Sequence, residues 1–172
     1  QSKFTTARQE GDKAVILSGV FEGKTTGTPI SILVENKDQR SHDYSEIMNI
    51  YRPGHADYTF DEKYGFRDYR GGGRSSGRET IGRVAAGAIA EKFLKELGIR
   101  IEAYTKSIGP VEIDPQRFDI KKRDENRLYM PDPQAAEKAE AFLEQCMAEK
   151  DSAGGVVECI IKGLPAGVGE PV

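Results

Sequence analysis

Cysteine, histidine and long apolar runs are all scarce in this chain, and each scarcity argues against a class of function. The only cysteines are Cys146 and Cys159, with no CxxC spacing and no histidine beside them. That argues against a disulfide framework or a zinc site and for buried or half-buried thiols in a reducing cytosol. No apolar run approaches the roughly 18 residues that cross a bilayer, and Gln1 to Gln9 is polar throughout, unlike a signal peptide. The expected location is therefore cytoplasmic, with no membrane partner. Nor is there an excess of basic charge: 25 Lys and Arg against 28 Asp and Glu leave a formal charge of −3, which argues against a general nucleic-acid binder. No repeat recurs at a fixed period.

What remains is the composition of a globular domain. The 172 residues, 37% hydrophobic and 31% charged, suffice for one domain with a real core. The chain starts at Gln1 and stops at Glu170-Pro171-Val172, just after a glycine-rich turn, and so reads as a segment of something longer.

Residues 14–20 and 30–34 are short β-branched apolar runs separated by turn formers, and their pattern predicts a β-hairpin. One helical turn is expected near Tyr44 to Ile50. Ser76 and Glu79 have capping-box spacing, and Ile81, Val84, Ala85, Ala88, Ile89, Phe93 and Leu97 recur at helical steps before Gly98. The small residues from Gly82 to Ala90 make this a slim helix, suited to a central position. A strand is expected over 100–108 and irregular chain over 110–131. A second helix should run from an Asp132 cap with Pro133 to about Lys150, with Ala135, Ala139, Phe142, Leu143 and Met147 on one face. After a turn at 151–155, a last strand is expected over 156–161. The order β-β-(loop)-α-β-α-β indicates an α+β domain.

Residues 52–78 stand apart. They show no apolar periodicity, yet they hold Gly54, Gly65, Gly71, Gly72, Gly73 and Gly77 together with Arg52, Lys63, Arg67, Arg70, Arg74 and Arg78. Tyr58, Phe60, Tyr64, Phe66 and Tyr69 argue for order rather than disorder, so the stretch reads as an ordered functional loop. Glycines admit a ligand close to the backbone, and arginines supply paired donors to phosphate or carboxylate. The run Gly71-Gly72-Gly73-Arg74-Ser75-Ser76 leads into a helix N-terminus, a favourable place for an anion. Neither a dinucleotide fingerprint nor a P-loop has matching spacing here. Of the two histidines, His42 reads as a surface residue. His55, in Arg52-Pro53-Gly54-His55, would be presented by a Pro-Gly turn beside the loop as an acid or base.

At these residues the chain resembles the chorismate synthase family. The resemblance rests on Arg52-Pro53-Gly54-His55-Ala56-Asp57-Tyr58-Thr59, Lys63-Tyr64-Gly65, Asp68 to Ser76, Arg78-Glu79-Thr80 and Arg83 to Ala90. It also rests on Leu17 to Thr28, Asp38 to Ser41 and Gly163 to Val172. It implies a layered β-α-α-β sandwich of the α+β class, present here only in part, and a homotetramer at full length. The implied reaction is an anti-1,4-elimination of phosphate from 5-enolpyruvylshikimate 3-phosphate, giving chorismate and requiring reduced FMN. Whether NADPH or an external reductant reduces that flavin stays open. By motif, His55 corresponds to the histidine that moves a proton beside the flavin. Arg74, Ser75 and Ser76 correspond to the FMN-contacting segment, and Arg52 and Arg78 to arginines that hold the substrate. Lys3 falls near a position where many members carry an anion-binding arginine. No metal is implied. Gly77 departs from a usual alanine. The family's N-terminal signature with a second histidine is missing, as is its C-terminal half, so residues 1–172 read as a partial domain that is inactive alone. The alternative reading is a non-catalytic phosphate- or RNA-binding module using residues 52–78.

Overall fold

The structure is a computed structural model that describes residues 3–5, 11–36, 46–69 and 77–169. The chain divides into two compact units, Ala7–Ala90 and Gln1–Thr6 with Glu91–Val172.

In the first unit, β1 (Ala14–Ser18) pairs antiparallel with β4 (Ser31–Val34), with Ala14 opposite Val34 and an irregularity after Ile16. The predicted connection between them is itself a hairpin: β2 (Val20–Phe21) pairs with β3 (Lys24–Thr25). Glu22 and Gly23 form its turn, both at positive φ (48° and 76°), the twist that suits a two-residue hairpin loop. At the junction, the Ser18 hydroxyl donates to Pro29 O and accepts from Ser31 N. Gly19 has φ 81°, and a Cβ there would lie 2.7 Å from Ile30 Cγ1, so no other residue fits without strain.

The predicted turn near 44–50 is a short 3-10 segment, Glu46–Asn49. The ordered-loop expectation for 52–78 needs correction, because Asp57–Tyr64 is a helix, α1. It escapes a periodicity search because its sequence, DYTFDEKY, carries no apolar stripe. Local bonds define it instead. Asp57 sits in the first turn, where a carboxylate favours the helix dipole. At the other end Gly65, at φ 77°, donates its N–H to Asp61 O and stops the helix.

A 3-10 turn, Gly77–Glu79, precedes the long helix α2 (Thr80–Glu96), which crosses the boundary between the units. Ser76, the proposed cap, lies outside the described residues. The C-terminus ends as the glycine predicted: Gly98 N donates to Lys95 O and Ile99 N to Leu94 O, the paired bonds of a Schellman motif.

In the second unit, β5 (Arg100–Ile108) is the centre of a three-stranded antiparallel sheet. It lies between β6 (Val111–Glu112) and β7 (Gly155–Lys162). The core joins Tyr104 of β5 to Ala135, Ala136 and Ala139 of α3 (Pro133–Glu149) through Ile113, Leu128 and Met130. Residues 110–131, read as irregular and charged, thus supply part of the core. They are ordered by polar bonds rather than by periodicity. The Asn126 amide donates to Lys122 O and Met130 O while its oxygen accepts from Leu128 N and Met130 N. The last turn of α3 departs in detail, because Cys146 is buried and Met147 is exposed. The other expected half-buried thiol, Cys159, is exposed, since it shares the β7 face of Val157 and Ile161 rather than that of Ile160, which packs on the core.

Asp132 caps α3, its buried carboxylate accepting from Gln134 N and Ala135 N. The same group accepts from Asp114 N and from Arg117 Nε and Nη2. Burial alone would raise its pKa, but the Arg117 hydrogen bonds and the backbone donors outweigh it and hold the value at about 2. A folded pKa below the ordinary 3.8 means that this stabilisation is present above that value and is lost as pH falls toward 2. Asp132→Ala is expected to cost about 3–5 kcal/mol, because it leaves Arg117 and three backbone donors without their acceptor. Urea unfolding at neutral pH measures that cost, and a variant within about 1 kcal/mol of the parent would refute it.

Candidate functional site

His55 stands on the turn that its sequence promised. Arg52, Pro53, Gly54 and His55 form a β-turn closed by a 3.3 Å bond from His55 N to Arg52 O. Proline at the second position and Gly54 at φ 71° at the third are the residues a type II turn requires. His55 is exposed, and two residues later α1 begins.

Asp57 fastens this turn. Its Oδ2 accepts from Arg52 N at 3.0 Å and Arg52 Nε at 2.8 Å, and its Oδ1 accepts from Arg52 Nη2 at 2.8 Å. The carboxylate is buried. The hydrogen bond from the Arg52 side chain, the largest influence on it, holds its pKa well below the usual carboxylate range. Arg52, expected to hold an anionic substrate, therefore commits Nε and Nη2 to an internal partner.

A second guanidinium orders the chain before the turn. Arg67 Nη2 donates to Met48 O at 2.9 Å and Ile50 O at 2.7 Å, and its Nη1 reaches Asp61 at 3.3 Å. The guanidinium lies 4.8 Å from the Tyr51 ring centre, and Tyr51 meets Tyr58 edge-on at 5.5 Å. Basic and aromatic residues that read as a ligand-facing loop thus hold one another.

Among the other expected site residues, Arg78 donates from Nη2 to Glu35 O at 3.0 Å and pairs with Asp12 at 3.1 Å. It links both edges of the β1–β4 hairpin to the chain entering α2. Arg74, Ser75 and Ser76, assigned to the flavin, lie outside the described residues, as does His42. Lys3 belongs to the other unit, where it pairs with Glu144 of α3 and lies 5.0 Å from the Phe4 ring centre. Asp57 and Arg67 were missed as ordering groups. The signal for Asp57 was an arginine and an aspartate flanking a Pro-Gly turn. Arg67 left none, because carbonyl acceptors do not show in a sequence.

Comparison with known proteins gives a consistent result. A family model described as chorismate synthase matches residues 1–172. The chorismate synthase of Lachnospira eligens is 70% identical over 171 residues, 99% of this chain and 47% of its own. That of Agathobacter rectalis is 66% identical over 172 residues, again 47% of its length. A crystal structure of a chorismate synthase matches with a TM-score of 0.68 at 32% identity, covering 88% of this chain and 45% of that one. The chain spans about half the length of the curated relatives it matches.

Replacing Arg67 by Met keeps an apolar stem over Tyr51 and removes every donor. The expected loss is about 1–3 kcal/mol of local stability, read as faster amide exchange at residues 46–51. Exchange unchanged from the parent would show that the two carbonyls do not depend on Arg67.

Proposed function

The chain belongs to the chorismate synthase family, and we propose that it carries about half of the catalytic site of such an enzyme. On this reading the whole protein is a lyase of the shikimate pathway that eliminates phosphate from 5-enolpyruvylshikimate 3-phosphate to give chorismate. The observation that carries the proposal is the display of His55 on the Arg52–Asp57 turn, within a chain matched by the family from end to end.

The reaction needs a group that moves a proton and cations that hold a phosphate and a carboxylate. His55 suits the first role, since its exposed imidazole can give or take a proton through a ring nitrogen. Arg52 and Arg78 suit the second by charge and by their fork of donors, and Lys3 would add a cation without that fork. Their described partners hold these side chains in place: Asp57 holds Arg52, Glu35 O and Asp12 hold Arg78, and Glu144 holds Lys3.

A reduced flavin would supply transient electron density to the substrate. The chemistry of Arg74, Ser75 and Ser76, a guanidinium and two hydroxyls before a helix, fits the phosphate of FMN. The remaining half of the family chain would complete the site. It would also cover apolar side chains exposed here, among them Val84 (71%), Phe93 (66%) and Val157 (72%). A cytoplasmic homotetramer with no nucleic-acid or membrane partner completes the reading, and no helix among the described residues is long and apolar enough to cross a membrane. The alternative, a non-catalytic phosphate- or RNA-binding module, gains no support from the comparisons.

The test is anaerobic turnover with photoreduced FMN, following chorismate by absorbance. Residues 1–172 are assayed alone and joined to the segments of the Lachnospira eligens relative outside the match. Chorismate is expected from the joined protein and not from the chain alone; none from either, beside an active control, would sink the proposal. In the joined protein His55→Ala is expected to lower kcat by about 10²–10⁴-fold, and unchanged turnover would remove His55 from the reaction.

A further inference from the structure

We propose that Asp57 is a positioning residue for His55, fixing the imidazole-bearing turn through Arg52. The inference rests on the proton-transfer role given to His55 above. His55 lies on a short arc whose two ends, Arg52 and Asp57, are joined by one carboxylate. That carboxylate takes donors from both the backbone and the side chain of Arg52, at 3.0, 2.8 and 2.8 Å.

The geometry is that of a clasp. Pro53 fixes one backbone angle and Gly54 allows the left-handed one, so the turn needs few further bonds to hold its shape. The 3.3 Å bond from His55 N to Arg52 O is long for such a turn. The Asp57 fork adds a second closure, tying the residue before the proline to the first residue of α1. The exposed imidazole thus stands on a backbone anchored by a charge-assisted pair whose carboxylate is buried. Proton transfer is sensitive to such placement, since an error near 1 Å can cost on the order of a hundredfold in rate.

Asp57→Asn keeps the shape of the side chain and removes the charge that receives two guanidinium nitrogens. Asp57→Glu keeps the charge on a longer stem. Both are made in the joined full-length protein, with and without His55→Ala, and kcat is measured beside thermal unfolding. The expected result is a tenfold to hundredfold loss of kcat in Asp57→Asn, roughly the cost of displacing a catalytic group, with partial recovery in Asp57→Glu. In the His55→Ala background the same substitution is expected to change kcat by less than about twofold, since the effect passes through a group already gone.

An equal loss in both backgrounds would overturn the proposal, because Asp57 would then act through the fold or through an anion held by Arg52, and not through His55. Unchanged kcat in Asp57→Asn would overturn it as well. So would failure of both variants to fold, which would make Asp57 a requirement of the fold rather than of His55. Failure of the underlying reading looks different: His55→Ala would turn over like the parent, whatever Asp57 does.

Discussion

Taking a carboxylate out of water costs several kcal/mol unless donors replace its lost hydration. The two buried acids among the described residues meet that demand in the same way. Asp57 takes a backbone N–H and two guanidinium nitrogens from Arg52. Asp132 takes three backbone N–H groups and two nitrogens of Arg117. Each stands at the start of a helix, and each ties that helix to irregular chain before it. Much of the remaining order follows from these two anchors. Asp57 sets the His55 turn against α1, and Asp132 sets α3 against residues 114–117 while the neighbouring Met130 fills the core.

The two anchors differ in how visible they are beforehand. Asp132 is followed by a proline and then by an amphipathic run, so both its capping role and the helix behind it were legible. Gly98 was equally plain, because a left-handed residue after the last apolar step is what closes a helix. Asp57 was hidden, although its helix is just as definite. DYTFDEKY has no stripe to bury, and what holds it is a pairing with Arg52 across a turn and a glycine stop at Gly65. Periodicity reports burial of a face, and α1 does not depend on burying one. The part that residues 110–131 play in the core was hidden for the same reason. Asn126 orders them by four bonds to backbone groups, and such bonds impose no repeat on the sequence.

The candidate site shows the same division. The turn that carries His55 was legible because proline and glycine announce it. The basic residues around it were read as facing a ligand. In the structure Arg52, Arg67 and Arg78 also serve as internal ties, binding a carboxylate, two carbonyls, and both edges of a hairpin. An arginine has five donors in a rigid fork, enough to hold the chain with one edge and meet an anion with another. Counting basic residues therefore measures the charge available to a site but says little about which nitrogens face it.

That double use bears on why such a site is assembled from separate lengths of chain. A guanidinium that binds a dianion must be held still, yet the partners that hold it should not cancel the field it offers. Backbone carbonyls satisfy this condition, since they take hydrogen bonds without a full negative charge, and Arg67 and Arg78 both use them. Carboxylates satisfy it less well. Asp61 and Asp12, the acidic partners of Arg67 and Arg78, keep part of their surface in water, which screens them. The acid paired with Arg52 is buried and stays ionised. The charge of that pair is close to balanced, which leaves less of the Arg52 charge to meet an anion. Its contribution to geometry is stronger, because the fork fixes direction as well as distance. The Arg52–Asp57 pair is therefore better suited to fixing the direction of the His55 turn than to offering a free positive charge.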